Sequence, residues 1–83
     1  MTDILVNLCV PTISKNYDVF LPATVAINRL MPMLISGVIE ASEKAYFSSG
    51  CEVLISVEQN MVFQPNCCLA DYNIGDGASL ILL

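Results

Sequence analysis

The chain has 83 residues, 55% hydrophobic and only 13% charged, with a net charge of −5. That length allows a single domain. Its three scattered cations, Lys15, Arg29 and Lys44, exclude a nucleic-acid binder, which needs clustered cations to replace the counterions along phosphates. An anionic membrane surface repels the same charge balance. A domain this small buries only roughly 60–65% of its unfolded surface, so the apolar surplus is expected outside, as an interface.

Residues 3–10 alternate, with Ile4, Val6, Leu8 and Val10 on one face and Leu5, Asn7 and Cys9 on the other. They predict a first strand, ended by Pro11. After a polar hairpin loop, residues 17–21 form a second strand, with Tyr17, Val19 and Leu21 inward and Asp18 and Phe20 outward. Thr24 is placed to cap a helix. In that helix Ile27, Leu30, Met31, Leu34, Val38, Ala41 and Ala45 share one face, opposite Arg29, Pro32, Ser36, Glu40 and Glu43. Glu40 and Lys44 are spaced for an i,i+4 pair. Pro32 removes a backbone hydrogen bond and either bends the helix or breaks it in two.

Ser48-Ser49-Gly50 closes the helical region. Residues 52–57 read as a third strand with Val53, Ile55 and Val57 alternating inward, which turns Leu54 outward. Glu58-Gln59-Asn60 leads into a short strand at residues 61–63, broken by Pro65-Asn66. Gly75-Asp76-Gly77 is a tight turn. The last strand, residues 78–83, places Leu80 and Leu82 on one side and Ser79, Ile81 and Leu83 on the other. The expected architecture is α+β: one domain over residues 1–83, a mixed sheet with one main helix packed on one face.

No basic segment precedes an early apolar run, so no export signal is read. The most apolar stretch, residues 25–41, is interrupted by Asn28, Arg29, Pro32 and Ser36 and is too broken to span a bilayer. Cys9, Cys51, Cys67 and Cys68 are therefore expected as reduced thiols of a cytoplasmic protein. The absence of histidine removes the commonest general base and metal ligand. Cys67-Cys68 is adjacent rather than C-x-x-C, Asp71 and Asp76 read as turn caps, and no glycine-rich phosphate loop appears. No catalytic residue, metal site or cofactor is expected; the chain reads as a binding protein and not an enzyme.

The element order resembles the β-grasp fold of ubiquitin. The segment Leu69-Ala70-Asp71-Tyr72-Asn73-Ile74, followed by Leu80 and Leu82, is similar to ubiquitin's own approach to its last strand. The resemblance implies that Leu69 and Ile74 plug the core and that the Tyr72 hydroxyl ties a loop to the backbone. Three features resemble one branch more closely, the small ubiquitin-like proteins of bacterial type VII (Esx) secretion, of YukD and EsaB type. They are the aromatic-Asp-x-x-Leu-Pro-Ala run from Tyr17 to Ala23, the pattern Ile27-Asn28-x-Leu30 continuing to Leu34 and Val38, and the Leu-x-Asp-Tyr-x-Ile-x-Asp-Gly ending from Leu69 to Gly77. Pro32 departs from that pattern.

The resemblance implies a non-conjugated accessory protein, cytoplasmic or held at the inner face of the membrane through a partner. That partner would be a secretion ATPase or a membrane channel component. Ubiquitin and the sulfur carriers act through a flexible Gly-Gly tail, whereas Gly75 and Gly77 precede the last strand and the sequence finishes Ile81-Leu82-Leu83. A modifier or sulfur carrier is thus disfavoured, and a self-associating homodimer is the structural alternative. β-Grasp topology sets the first and third strands on either side of the last, so Leu5, Leu54 and Ile81 are expected side by side on the outer sheet face, with Phe20 near one edge. They form the first candidate protein-binding patch. The helix flank, Met33, Ile35 and Ile39, is the second.

Overall fold

A computed structural model describes residues 3–46, 50 and 52–83. The one-sided alternation of the first residues gives an antiparallel hairpin of β1 (Asp3–Val10) and β2 (Lys15–Pro22), with Val6 opposite Val19 and Leu5 opposite Phe20. A short 3-10 turn, Pro11–Ile13, joins them, and Ser14 takes the left-handed conformation that lets the chain reverse. The remaining strands are β3 (Leu54–Ser56), β4 (Met61–Val62) and β5 (Ala78–Leu82). Among the described residues they complete a five-stranded sheet in the order β2-β1-β5-β3-β4. β5 lies parallel to β1, from Val6–Ala78 to Cys9–Ile81, and every other pairing is antiparallel.

Helix α1 (Ile27–Ala41) buries Ile27, Leu30, Leu34 and Val38 in one core with Val6, Leu8, Val10, Leu80 and Leu82. Its start differs from expectation. The cap position is Ala26, not Thr24, and no side chain caps it. The amides of Ile27 and Asn28 instead donate to the carbonyls of Cys67 (2.8 Å) and Pro65 (2.9 Å). Two of the unpaired donors at the helix start are thus met by a distant loop. The helix runs unbroken through Pro32, whose ring sits on the exposed side while buried residues on either side anchor both halves. It stops at Ala41, so Ala41 and Ala45 are exposed rather than packed. Lys44 lies beyond the helix with φ 67°, off the face that would pair it with Glu40.

The expected phase of the third strand is inverted. Leu54 (2% exposed) and Ser56 face the core, and Val53, Ile55 and Val57 face outward. The pairing dictates this: Leu54 sits opposite Leu82 and Ser56 opposite Leu80, both inward residues of β5. Ser56 tolerates burial because its hydroxyl accepts the amide of Gln59 at 3.2 Å. After β4, Phe63 returns to the core, its amide bonded to the Leu54 carbonyl at 3.0 Å. Ser48, Ser49 and Cys51 lie outside the described residues.

Candidate protein-binding faces

The outer face of the sheet carries two apolar groups divided by a polar band. At one end Leu5 and Phe20 are direct cross-strand neighbours, and Phe20 is 70% exposed. The band follows: the Asn7 side-chain amide donates to the Asp18 carboxylate at 3.3 Å, and the Ser79 amide donates to the Glu58 carboxylate at 3.1–3.2 Å. Beyond it a single row crosses four strands, Cys9, Ile81, Ile55 and Val62, each opposite the next. Exposed Val53 and Leu83 extend the row, bonded to each other through both amides at 2.8 and 3.0 Å. Val57, also exposed, stands beside Ser79 at the band.

The expected patch is therefore redrawn. Leu54 belongs to the core and leaves it. Leu5, Phe20 and Ile81 do share the outer face, but the Asn7–Asp18 pair separates the first two from Ile81. Ile55, Val53 and Val62 take the place of Leu54: the antiparallel partner of inward-facing Leu82 has to share its face, which sends Leu54 to the core and its neighbours outward.

The helix flank also divides. At about 100° per residue, Ile35 and Ile39 lie on one side of the buried stripe and Met33 on the other. Ile35 and Ile39 are half-buried against the core. Met33 is 60% exposed and lines a groove of about 320 Å³ between α1 and β2.

Leu69 and Ile74 are buried, on a 3-10 turn at Leu69–Tyr72 and just after it. The Tyr72 hydroxyl accepts the Gln64 amide at 3.0 Å, and its ring meets Phe63 edge-on at 4.9 Å. Asp71 caps locally, accepting the Cys68 amide at 2.9 Å. Asp76 reaches further than a turn cap: it accepts the Leu5 amide at 2.8 Å and fastens the turn to β1. Away from both faces, buried Tyr46 donates to Glu52 at 2.9 Å. Its pKa is pushed up to about 12 by burial, then by the hydrogen bond to Glu52 and the nearby negative charge. No cluster of metal-ligating side chains occurs among the described residues, and none of their helices is long and apolar enough to cross a membrane.

The described residues set a parallel β1–β5 pair at the centre of the sheet with the helix across one face. The ubiquitin-like domain of the Mycobacterium tuberculosis type VII secretion protein EccD1 superposes with a TM-score of 0.78 at 20% identity, covering 100% of this chain and 99% of that one. The fold is ubiquitin-like. The same ubiquitin-like fold is found in a chain of the MycP5-free ESX-5 inner membrane complex (TM-score 0.81, 15% identity), where the match covers 100% of this chain but only 21% of that one. An Arabidopsis thaliana ubiquitin-like domain matches at TM-score 0.72 and 15% identity, over 100% of this chain and 78% of that one. No protein-family model and no curated protein matches the sequence.

Proposed function

We propose that this protein is a non-conjugated, ubiquitin-like accessory component of a type VII secretion system, of YukD and EsaB type. It acts by binding rather than catalysis, on the cytoplasmic side. It docks on a cytosolic part of the apparatus, a secretion ATPase or a membrane channel subunit, through the outer face of β5, β3 and β4. The observation that carries this reading is the row Ile81–Ile55–Val62 with its flanking Val53 and Leu83, an apolar cluster on a sheet face that no element of the described chain covers. An outward sheet face without a partner commonly carries polar residues, as the Asn7–Asp18 band does here. The likeness to domains of secretion proteins supports the choice of system, as do the sequence features shared with that branch. Gly77 supports a role without conjugation: its amide is tied to the Leu5 carbonyl at 2.8 Å in a turn, so this glycine is not part of a flexible tail.

The test is co-purification of the tagged protein from its native cells after gentle membrane solubilisation, with bound proteins identified by mass spectrometry. Recovery of a secretion ATPase or channel subunit is expected, lost in Ile81→Glu while circular dichroism shows the fold retained. Undiminished recovery with Ile81→Glu would reject this face. Recovery of the protein alone, as a dimer in light scattering, would favour the self-associating reading.

A further inference from the structure

A second surface, on the opposite side of the polar band from the Ile55–Ile81 row, has features that the sheet-face reading does not use. Among the described residues β2 is an edge strand, paired only with β1. The Leu5 carbonyl and amide both turn toward the β5 side, to Gly77 and Asp76. By the alternation of an antiparallel ladder, Tyr17, Val19 and Leu21 therefore bond to β1, and Asn16, Asp18 and Phe20 direct their amides and carbonyls to the open edge. Alongside this edge runs the groove between β2 and α1, lined by Val19, Leu21, Met33, Leu34, Gly37 and Ala41. A Cβ placed on Gly37 would meet no atom within 4 Å, so the helix side of the groove is open space. A further hollow, sharing Tyr17 and Ala41, prolongs it toward Lys15.

We propose that this groove receives an extended segment of a partner protein, added to β2 as a further strand, with aliphatic side chains in the groove and a basic residue against Asp18. Three outward residues at alternate positions offer paired donors and acceptors that another strand matches and a helix does not. The new strand's residues opposite Tyr17, Val19 and Leu21 point into the groove, where the lining is apolar. Its residue opposite Asp18 points to the outer face, beside a carboxylate on a chain of net charge −5, so a cation is favoured there. Charge also argues against a second copy as occupant. Antiparallel self-pairing of β2 with full overlap of Asn16, Asp18 and Phe20 sets Asp18 opposite Asp18, and like charges directly opposite destabilise a strand pair. The protections of this edge are Lys15 and Pro22 at its two ends and the Asp18 carboxylate between them, the one that a basic residue of the partner would neutralise.

The experiment is titration of the isotopically labelled full chain, followed by amide NMR, with a blocked heptapeptide that alternates lysine with valine and isoleucine. Shifts and slowed hydrogen exchange are expected at the amides of Asn16, Asp18 and Phe20, with shifts at Gly37. Gly37→Leu fills the groove at an unhindered helical site and should keep the folded spectrum while weakening binding at least tenfold. Asp18→Lys should weaken binding about fivefold at low salt, and a peptide with glutamate in place of lysine should not bind. The proposal is overturned if the edge amides do not respond, if the shifts are confined to the Ile55–Ile81 face, or if Gly37→Leu binds as well as the parent. Concentration-dependent dimerisation through β2 would overturn it in favour of a second copy.

Discussion

Two adjacent truncations, Leu54→Ala and Val53→Ala, decide which side of β3 meets the core. Leu54 is 2% exposed and faces Leu82 across the strand pair, whereas Val53 is 39% exposed. Truncating a buried leucine removes its transfer free energy and leaves a partly relaxed cavity, at a cost of about 2–5 kcal/mol. A surface truncation such as Val53→Ala stays within about 0.5 kcal/mol. Domains of this size hold a net stability of about 4–12 kcal/mol, from roughly 0.05–0.15 kcal/mol per residue, so the first variant loses a large share. Its melting temperature should fall by at least about 8 °C. Urea unfolding followed by far-ultraviolet circular dichroism measures both, and similar slopes in denaturant keep the midpoints comparable. If Val53→Ala costs as much as Leu54→Ala, the register is reversed and the outer apolar row does not exist.

Pro32→Ala restores an amide able to donate to the Asn28 carbonyl and takes nothing from the core, so it should raise the unfolding free energy by up to about 3 kcal/mol; a lowered urea midpoint would contradict this. Tyr46, raised from 10.0 to about 12, holds its proton more tightly folded than unfolded. Its contribution to stability is therefore whole below about pH 10 and is lost as pH rises through about 12. In the folded protein, tyrosinate absorbance should show a step near pH 12 that disappears in Tyr46→Phe. Tyr72→Phe leaves the Gln64 amide without its 3.0 Å acceptor, so about 0.5–1.5 kcal/mol should be lost; hydrogen exchange at Gln64 should quicken, and unchanged exchange would deny the hydroxyl its anchoring role.

β1, β2 and β5 were legible in the sequence because one phase of each carries polar residues, Asn7, Asp18 and Ser79, that mark the outside. β3 offered no such mark. Val53, Leu54 and Ile55 are all apolar, and its one polar member, Ser56, is buried with its hydroxyl engaged by Gln59. Period two alone then selects the wrong phase, and only the register against Leu80 and Leu82 corrects it. The helix was legible as a buried stripe, but its start was not. Thr24 has the right chemistry for a cap, yet the Pro65 and Cys67 carbonyls satisfy the first amides, and no local pattern announces a partner that far along the chain. Met33, Ile35 and Ile39 look like one apolar cluster when read in sequence. A separation of two residues turns a helix by about 200°, which is why Met33 ended on the β2 side and the isoleucines on the other.

The central pairing of residues 6–9 with residues 78–81 also constrains how a newly made chain reaches this state. Ribosomes add about 5–20 residues per second, so for several seconds the residues of β1 and β2 are made while those of β5 are still to come. In that interval the inner side of β1 has neither Leu80 nor Leu82 to cover it. Long-range pairing of this kind slows folding and prolongs exposure of unpaired edges. The aggregation hazard of this protein thus falls on the nascent chain, at the stage when a chaperone would have most to protect.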